Sequence, residues 1–296
     1  MIAQGARARE VDRPGISRSQ GALVWRHFRR NRAAVVGGGV VVLLALIAVF
    51  AGVIAPSDPI LVLTEERLLP PSRVHLFGTD ELGRDVLSRT VFGARISMTV
   101  GLISVSIALL IGVTLGLLSG YAGGWVDNLI MRMIDILLAF PGILLAIIIV
   151  GSLGPGLRNV MIAVGIFSVP SYARVVRAST LHVKALDYIE ALRALGASDA
   201  RILFRHVLVN VTAPIIVLST LGVATAILSA AGLSFVGLGA QPPAPEWGAM
   251  LSQARPYLRN EWWMATFPGL AIMITVLAVN LMGDGLRDAL DPRLRT

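Results

Sequence analysis

The stretch "YIEALRALGASDARILFRHVLVN", residues 188–210, is a charged segment set between two long apolar runs. Its ionisable side chains are Glu190, Arg193, Asp199, Arg201, Arg205 and His206. The apolar runs cover residues 160–176 before it and 207–237 at its end. About 20 apolar residues of α-helix cross the roughly 30 Å hydrocarbon core of a bilayer. The stretch is therefore predicted to connect two membrane helices at a membrane surface.

The whole chain is too apolar for a soluble domain. Of its 296 residues, 55% are hydrophobic and 15% are charged, whereas about 25% are charged in soluble domains. The apolar residues form runs at 33–55, 98–120, 134–152, 160–176, 207–237 and 266–286. The first run exceeds the roughly 7–15 residues of a signal-peptide core, and Pro56 follows it, so we predict that it stays uncleaved. The sequence predicts an all-α integral membrane protein with six transmembrane helices. Pro141 lies inside the third run and is predicted to kink that helix.

The basic residues are unequally divided between the two sides of the membrane. Six spans place both termini on one side, and that side carries 18 basic residues against 8 on the other. Because basic loops stay in the cytoplasm, both termini and residues 188–210 are predicted to be cytoplasmic. The net charge of +8 is then an orientation signal. We expect no nucleic-acid partner, because no segment offers a folded basic patch.

These patterns divide the chain into five parts. They are a cytoplasmic basic N-terminal segment at 1–32, a first transmembrane helix at 33–55, an external connection at 56–97, a five-helix core at 98–290 with a cytoplasmic elbow at 185–206, and a cytoplasmic tail at 291–296. The first part has eight arginines against two acids. It suits either a helix lying on an anionic lipid surface or a disordered basic tail.

The elbow reads as two helices separated by a glycine. Its apolar residues recur at every third position and line one helix face: Leu186, Ile189, Leu192 and Leu195. Gly196 interrupts the pattern as a glycine at a helix C-terminus does. Ser198 or Asp199 can cap the second helix. An apolar row in water favours a partner, so we predict a protein-docking face, with a solvated loop as the alternative.

Three glycines recur every four residues in the second apolar run, at Gly112, Gly116 and Gly120. This spacing places them on one helix face, where the missing side chains let another helix approach closely. We predict a helix-packing stripe there.

Charges also cluster at the start of the third run. Asp127, Arg132 and Asp135 lie at the predicted membrane interface. Arg132 and Asp135 are three residues apart, a spacing that brings side chains together on a helix. We predict a structural role for these charges, either by snorkelling to the membrane interface or through an ion pair between Arg132 and Asp135.

The centre of the opening stretch resembles the EAA motif of permease subunits in binding-protein-dependent ABC importers. In that pattern, E-A-A is followed by three residues, Gly, nine residues and I-x-L-P. Glu190, Ala191, Gly196 and Leu208 match it. The departures are Leu192 at the third position, His206 at the isoleucine and Val209 at the proline.

Other stretches resemble the second permease, the dipeptide permease C type, of dipeptide, oligopeptide and nickel importers. They are "FGTDELGRDVLSRTVFGARIS" at 77–97, "RMIDILLAFPGILLAI" at 132–147, "GLSFVGLGAQPPAPEWGAML" at 232–251 and "NLMGDGLRDALDPRLR" at 280–295. Their order and spacing make the resemblance specific. It implies the type I ABC importer permease fold, in which the elbow is the coupling helix.

The resemblance also implies location, partners and cargo. The chain is expected in the bacterial cytoplasmic (inner) membrane with a second homologous permease, two ATP-binding cassette ATPase subunits and an external solute-binding protein. Dipeptides or short oligopeptides are the expected cargo, with nickel chelates or glutathione-like peptides as the alternative. An ion-gradient-driven secondary transporter would need polar residues deep in the spans, which are nearly absent. A non-transporting scaffold is a third possibility.

Energy for transport is expected from the partner chains. A phosphate-cradling loop reads G-x-x-x-x-G-K-[ST], and the only lysine, Lys184, has no glycine nearby. We therefore expect ATP and magnesium in the partner subunits, and no catalytic residue, cofactor or metal in this chain.

The predicted external connection carries a charged cluster, Asp80, Glu81, Arg84 and Asp85. Paired carboxylates can do acid–base chemistry, but the loop lacks a nucleophile–base set. We predict a gate or a contact to the binding protein instead.

Overall fold

The computed structural model describes residues 20–290, and every regular element in that part of the chain is helical. The all-α prediction is confirmed. Residues 1–19 of the predicted N-terminal segment, and the predicted tail at 291–296, lie outside the described residues. The α-helices are α1 (Gln20–Arg30), α2 (Arg32–Val49), α3 (Ala51–Ile54), α4 (Val86–Ala122), α5 (Gly124–Leu138), α6 (Gly142–Leu153), α7 (Leu157–Lys184), α8 (Asp187–Ala194), α9 (Asp199–Arg201), α10 (Leu208–Phe235), α11 (Trp247–Ala254) and α12 (Trp263–Leu290).

Five helical segments are long and apolar enough to cross a membrane. They are α2, α4, α7, α12 and the continuous run from α9 through α10. A sixth crossing requires α5 and α6 to be counted as one span, although they are bent by 88°. The predicted third span was a single kinked helix. The structure breaks it instead, because Pro141 takes an extended ψ of 127° between the two helices and the residue before a proline disfavours helix.

The second span begins earlier than predicted. The apolar run starts at Met98, but α4 begins at Val86, so the connection predicted at 56–97 ends at Asp85. Asp85 caps α4 by accepting a hydrogen bond of 2.7 Å from the Ser88 backbone N–H. Hydropathy missed these first turns because they carry polar residues that are buried by protein, with Arg89 only 1% exposed.

The bundle packs around α4, α7 and α10. Their shared core includes Val105, Ala108, Val164, Tyr172 and Ala226, all buried. α12 packs against α10 on one side and against α2 on the other. Opposite ends of α4 therefore reach two separate features, the elbow at its C-terminus and a cap at its N-terminus. We define the cap as residues 56–85 and 236–262.

The glycine stripe of α4 lies directly against α7. A Cβ atom on Gly112 would lie 2.4 Å from the Tyr172 Cβ, and one on Gly120 would lie 2.8 Å from the Thr180 Cβ. Gly116 faces the Ala173 carbonyl oxygen at 2.6 Å in the same way. These separations leave no room for a side chain, so the glycines set the distance between the two helices.

Gly116→Ala is expected to destabilise the protein by about 1–3 kcal/mol, because the added methyl group overpacks the α4–α7 contact. The midpoint of thermal unfolding in detergent measures this loss. Gly151→Ala in α6 is the matched control, since among the described residues no heavy atom beyond its chain neighbours and its own helix backbone lies within 4 Å of its Cβ position. Equal midpoints for the two variants would contradict the packing role.

Candidate functional site

The elbow turns at Gly196, whose φ is +82°. The Gly196 N–H donates to the Arg193 carbonyl at 2.9 Å, and the Ala197 N–H donates to the Leu192 carbonyl at 3.0 Å. These paired bonds form a Schellman motif, which satisfies the last carbonyls of α8 and needs a left-handed residue at the glycine position. The helix–glycine–helix geometry expected for the elbow is present.

The chain re-enters the bundle through a continuous helical path. The Ser198 hydroxyl accepts a hydrogen bond of 3.4 Å from the Arg201 N–H, so Ser198 rather than Asp199 caps the second helix. A π-helical turn, Ile202–Val207, then joins α9 to α10. Such turns are rare and often lie at functional positions. The elbow is thus fused to a membrane helix at each end.

The predicted docking face is corrected in part. Ile189 is 0% exposed and packs with Val183, Ile202 and Val207 of its own chain. Leu192 is half-buried against the same cluster. Burying an apolar side chain of this size contributes about 1.5–3 kcal/mol, so these two residues fasten the elbow to the bundle and Ile189 cannot contact a partner.

The outward surface of the elbow is made of other residues. Leu195 is 84% exposed and Leu186 is 39% exposed. Glu190 and Ala191 are also exposed. We call Leu186, Glu190, Ala191 and Leu195 the elbow tip. It combines two leucines and an alanine with one carboxylate beside the Gly196 turn.

Tyr121, at the C-terminal end of α4, contacts the elbow. Its hydroxyl donates to Asp199 Oδ1 at 2.5 Å. Its carbonyl accepts from Lys184 Nζ at 2.6 Å. Arg193 Cζ lies 5.6 Å from the centroid of its ring, and the hydrogen bond to Tyr121 raises the pKa of Arg193. These contacts join α4, α7, α8 and α9.

The charged cluster near α5 is paired differently from the prediction. Asp127 is held by Arg177 through bonds of 2.6 and 2.5 Å, and also accepts from the Ser119 hydroxyl. Asp135 pairs with Arg174 at 2.6 Å, so the predicted Arg132–Asp135 pair is wrong. The actual partners, Arg177 and Arg174, belong to α7, which the fold places beside α5. Residue spacing within α5 cannot reveal a partner on another helix.

The cap holds a buried ion network around Asp80. Its Oδ2 lies 2.6 Å from Arg84 Nε and 3.4 Å from Arg89 Nε. Arg84 also contacts Glu81 Oε1 at 3.1 Å. Both arginines donate to Gln253 Oε1, at 3.3 and 3.4 Å. The network joins the loop before α4 to α11. Within it, the carboxylates of Asp80 and Glu81 are paired with the two arginines.

His75 lies between two carboxylates of the cap. Its Nδ1 is 3.0 Å from Asp85 Oδ1 and its Nε2 is 3.2 Å from Glu66 Oε2. Asp85 therefore both caps α4 and holds the loop. Within residues 20–290, no three His, Cys, Asp or Glu side chains are grouped to hold a metal ion.

Two carboxyl groups of the cap have raised pKa values. Burial raises the pKa of Glu81, with Asp80 adding to the effect. Burial also raises the pKa of Glu246, which caps α11 by accepting from the Ala249 N–H at 2.8 Å. The ordinary pKa of each group is 4.5. Between that pH and the raised pKa, the folded state holds more protons on these groups than the unfolded state does. Their contribution to stability therefore falls as the pH rises through the folded pKa values.

Comparison with known proteins decides the family. Residues 112–296 match the model of the binding-protein-dependent transport system inner membrane component. This is a subunit of ABC importers. The chain belongs to this family. Residues 19–71 of the permease also match the N-terminal transmembrane domain of oligopeptide transport permease C, so the resemblance seen in the sequence is confirmed.

The permease has close relatives of known name. It is 51% identical over 273 residues to the glutathione transport system permease protein GsiD of Pectobacterium atrosepticum, covering 92% of this chain and 91% of the relative. It is 48% identical over 272 residues to the dipeptide transport system permease protein DppC of Alkalihalophilus pseudofirmus, covering 92% and 90%. It is 49% identical over 277 residues to the di/tripeptide transport system permease protein DppC of Pseudomonas aeruginosa, covering 92% and 91%.

The fold of the permease matches a solved transporter structure. An inward-facing structure of the methionine ABC transporter MetNI superposes with a TM-score of 0.58 and 21% identity, over 69% of this chain and 96% of that chain. The type I importer permease fold is thereby confirmed.

The sequence predicted the glycine turn of the permease elbow but not the side chains that hold the elbow to α4. Tyr121 and Lys184 lie in or beside apolar runs and carry no spacing signal that links them to Asp199. The one available hint is that Lys184 is the only lysine in the chain.

Proposed function

We propose that the elbow tip docks on a separate ATPase and passes its conformational change to the membrane helices. The observation that carries this proposal is the exposed tip on a rigid Gly196 turn, fused at both ends to α7 and α10. Glu190 offers a carboxylate and Leu195 an apolar side chain to a partner groove. A rigid element of this kind can move as a body when its partner closes.

The proposed orientation places the elbow and both termini in the cytoplasm of a bacterial cell, and the cap outside. The excess of basic residues on the elbow side supports it, 18 against 8. ATP and magnesium then reside in two cytoplasmic ATPase subunits, and a second, homologous permease completes the pathway. An external binding protein delivers substrate at the cap, where residues 80–85 are candidate contacts.

The proposed substrates are short peptides. Support comes from relatives near 50% identity that are named for dipeptide, di/tripeptide and glutathione transport. Glutathione is itself a tripeptide, so one class of small peptide unites the names. Glutathione-like peptides are the second candidate within that class.

Reconstitution of the permease with its partner permease, ATPase subunits and binding protein is expected to give ATP-dependent uptake of labelled peptides of two or three residues. Proteoliposomes loaded with ATP measure it, with a nickel chelate and a free amino acid as comparison substrates. Omitting ATP or the binding protein is expected to reduce uptake to background.

The same vesicles test the competing functions. Uptake by this chain alone, driven by a proton gradient, would replace the proposal with a secondary transporter. Failure of any ATPase to co-purify with the complex would favour a scaffold.

A further inference from the structure

α4 is one unbroken helix between the cap and the elbow. Its 37 residues, Val86–Ala122, span about 55 Å at 1.5 Å per residue. At the cap end, Arg89 joins the ion network and the Trp247 indole N–H donates to the Thr90 carbonyl at 2.9 Å. The cap and the elbow are therefore linked by a single helix without a break between them.

The C-terminal end of α4 forms hydrogen bonds with α5, with α7 and with the elbow. The Ser119 hydroxyl donates to Asp127 of α5, which in turn holds Arg177 of α7. Two residues later, Tyr121 contacts the elbow through Asp199 and the end of α7 through Lys184. The tyrosine is the point where α4 touches the start of α9.

The Tyr121 contact is directional and charged. A hydroxyl donating to a carboxylate is a charge-assisted bond, about twice as strong as a neutral one. Lys184 Nζ and Arg193 Cζ lie 5.5 and 5.6 Å from the ring centroid, and such cation–π contacts hold the ring in place. Removing the hydroxyl breaks the bond to Asp199 and the hydrogen bond to Arg193, and leaves the cation–π contacts of the ring in place.

We propose that Tyr121 is a positioning residue that holds the coupling elbow to the inner end of α4 through Asp199. When the external binding protein docks at the cap, this contact transmits the resulting movement of α4 to the elbow. The movement of the elbow then stimulates ATP hydrolysis in the partner ATPase. The inference rests on the proposed function, because it assigns to α4 the link between the cap and the docking elbow. It requires no contact between Tyr121 and the ATPase.

The test uses the full complex with Tyr121→Phe, Asp199→Asn and the double variant. Stimulation of ATP hydrolysis by the loaded binding protein is expected to fall about tenfold in each, from the loss of one hydrogen bond to a charged group. Basal hydrolysis is expected to stay unchanged. Because Asp199 shares its bond with the Tyr121 hydroxyl, the double variant should be no worse than Tyr121→Phe alone.

A distance measurement separates positioning from general stability. The chain has no cysteine, so spin labels at Ala122→Cys and Ala200→Cys, both exposed, report the elbow position. The distance distribution is expected to broaden in Tyr121→Phe. Tyr188→Phe is the matched control, since its hydroxyl accepts from Asn210 and does not reach α4; it should match the wild type in both assays.

Two outcomes would overturn the inference. One is stimulation equal to wild type in all three variants, and the other is an unchanged label distance in Tyr121→Phe. A wild-type complex that neither hydrolyses ATP nor takes up peptide would count against the proposed function instead. The label distance still tests the Tyr121–Asp199 tie in that case.

Discussion

Gly196→Pro is expected to abolish ATP-driven uptake and the stimulation of ATP hydrolysis, while insertion into the membrane continues. Gly196 has a φ of +82°, whereas proline is fixed near −65°. Proline also lacks the N–H that donates to the Arg193 carbonyl at 2.9 Å. A cost of about 3 kcal/mol or more corresponds to a fall of about 100-fold in the population with a correctly formed elbow.

The controls for this variant separate backbone strain from crowding. Among the described residues no heavy atom beyond its two chain neighbours lies within 4 Å of the Gly196 Cβ position, so a small side chain meets only the φ penalty. Gly196→Asn should keep most of the uptake, because asparagine tolerates the left-handed region. Gly196→Ala should fall between asparagine and proline. Uptake by Gly196→Pro at the wild-type rate in proteoliposomes would discard the coupling role of the elbow.

Asp80→Asn is expected to be the most destabilising isosteric change in the cap. The side chains of Arg84 and Arg89 are 2% and 1% exposed, and Asp80 is the carboxylate that both approach. Breaking a buried ion pair by removing one partner costs about 3–5 kcal/mol. The midpoint of thermal unfolding in detergent should fall by roughly 10 °C.

Glu65→Gln provides the comparison for Asp80→Asn. Glu65 lies in the same loop, is exposed, and has no ion-pair partner among the described residues, so its removal should shift the midpoint by at most about 1 °C. Combining Asp80→Asn with Arg89→Met should recover part of the loss, since one uncompensated charge is removed. A midpoint for Asp80→Asn that equals that of Glu65→Gln would show that the network does not stabilise the cap.

Hydrophobic runs predicted most of the fold but not where its helices end. The runs at 207–237 and 266–286 correspond to α10 and α12 within a few residues. Hydropathy did not predict the start of α4, because its first turns carry polar residues such as Arg89 that are buried by protein. Hydropathy reports burial in lipid and cannot recognise a charged residue that is buried by protein. Pro141 predicted a kink, whereas only the surrounding fold decides between a kink and an 88° break.

The sequence predicted the parts of the candidate site in which the residue type itself fixes the backbone conformation. Gly196 is such a residue, because few others adopt its φ. Ile189 is not, since a row of apolar residues can face either a partner or its own bundle, and here Val183 and Ile202 bury it. Tyr121 and Asp199 are 78 residues apart, so their contact depends on tertiary packing alone.

The break between α5 and α6 has a consequence for the isolated subunit. The two helices have 15 and 12 residues, about 22 and 18 Å, so neither alone crosses the roughly 30 Å of hydrocarbon. Phe140 at the break is 49% exposed, and irregular backbone is not tolerated against acyl chains. This corner must therefore meet water or another polypeptide, so lipid cannot surround the isolated subunit on every side at this depth.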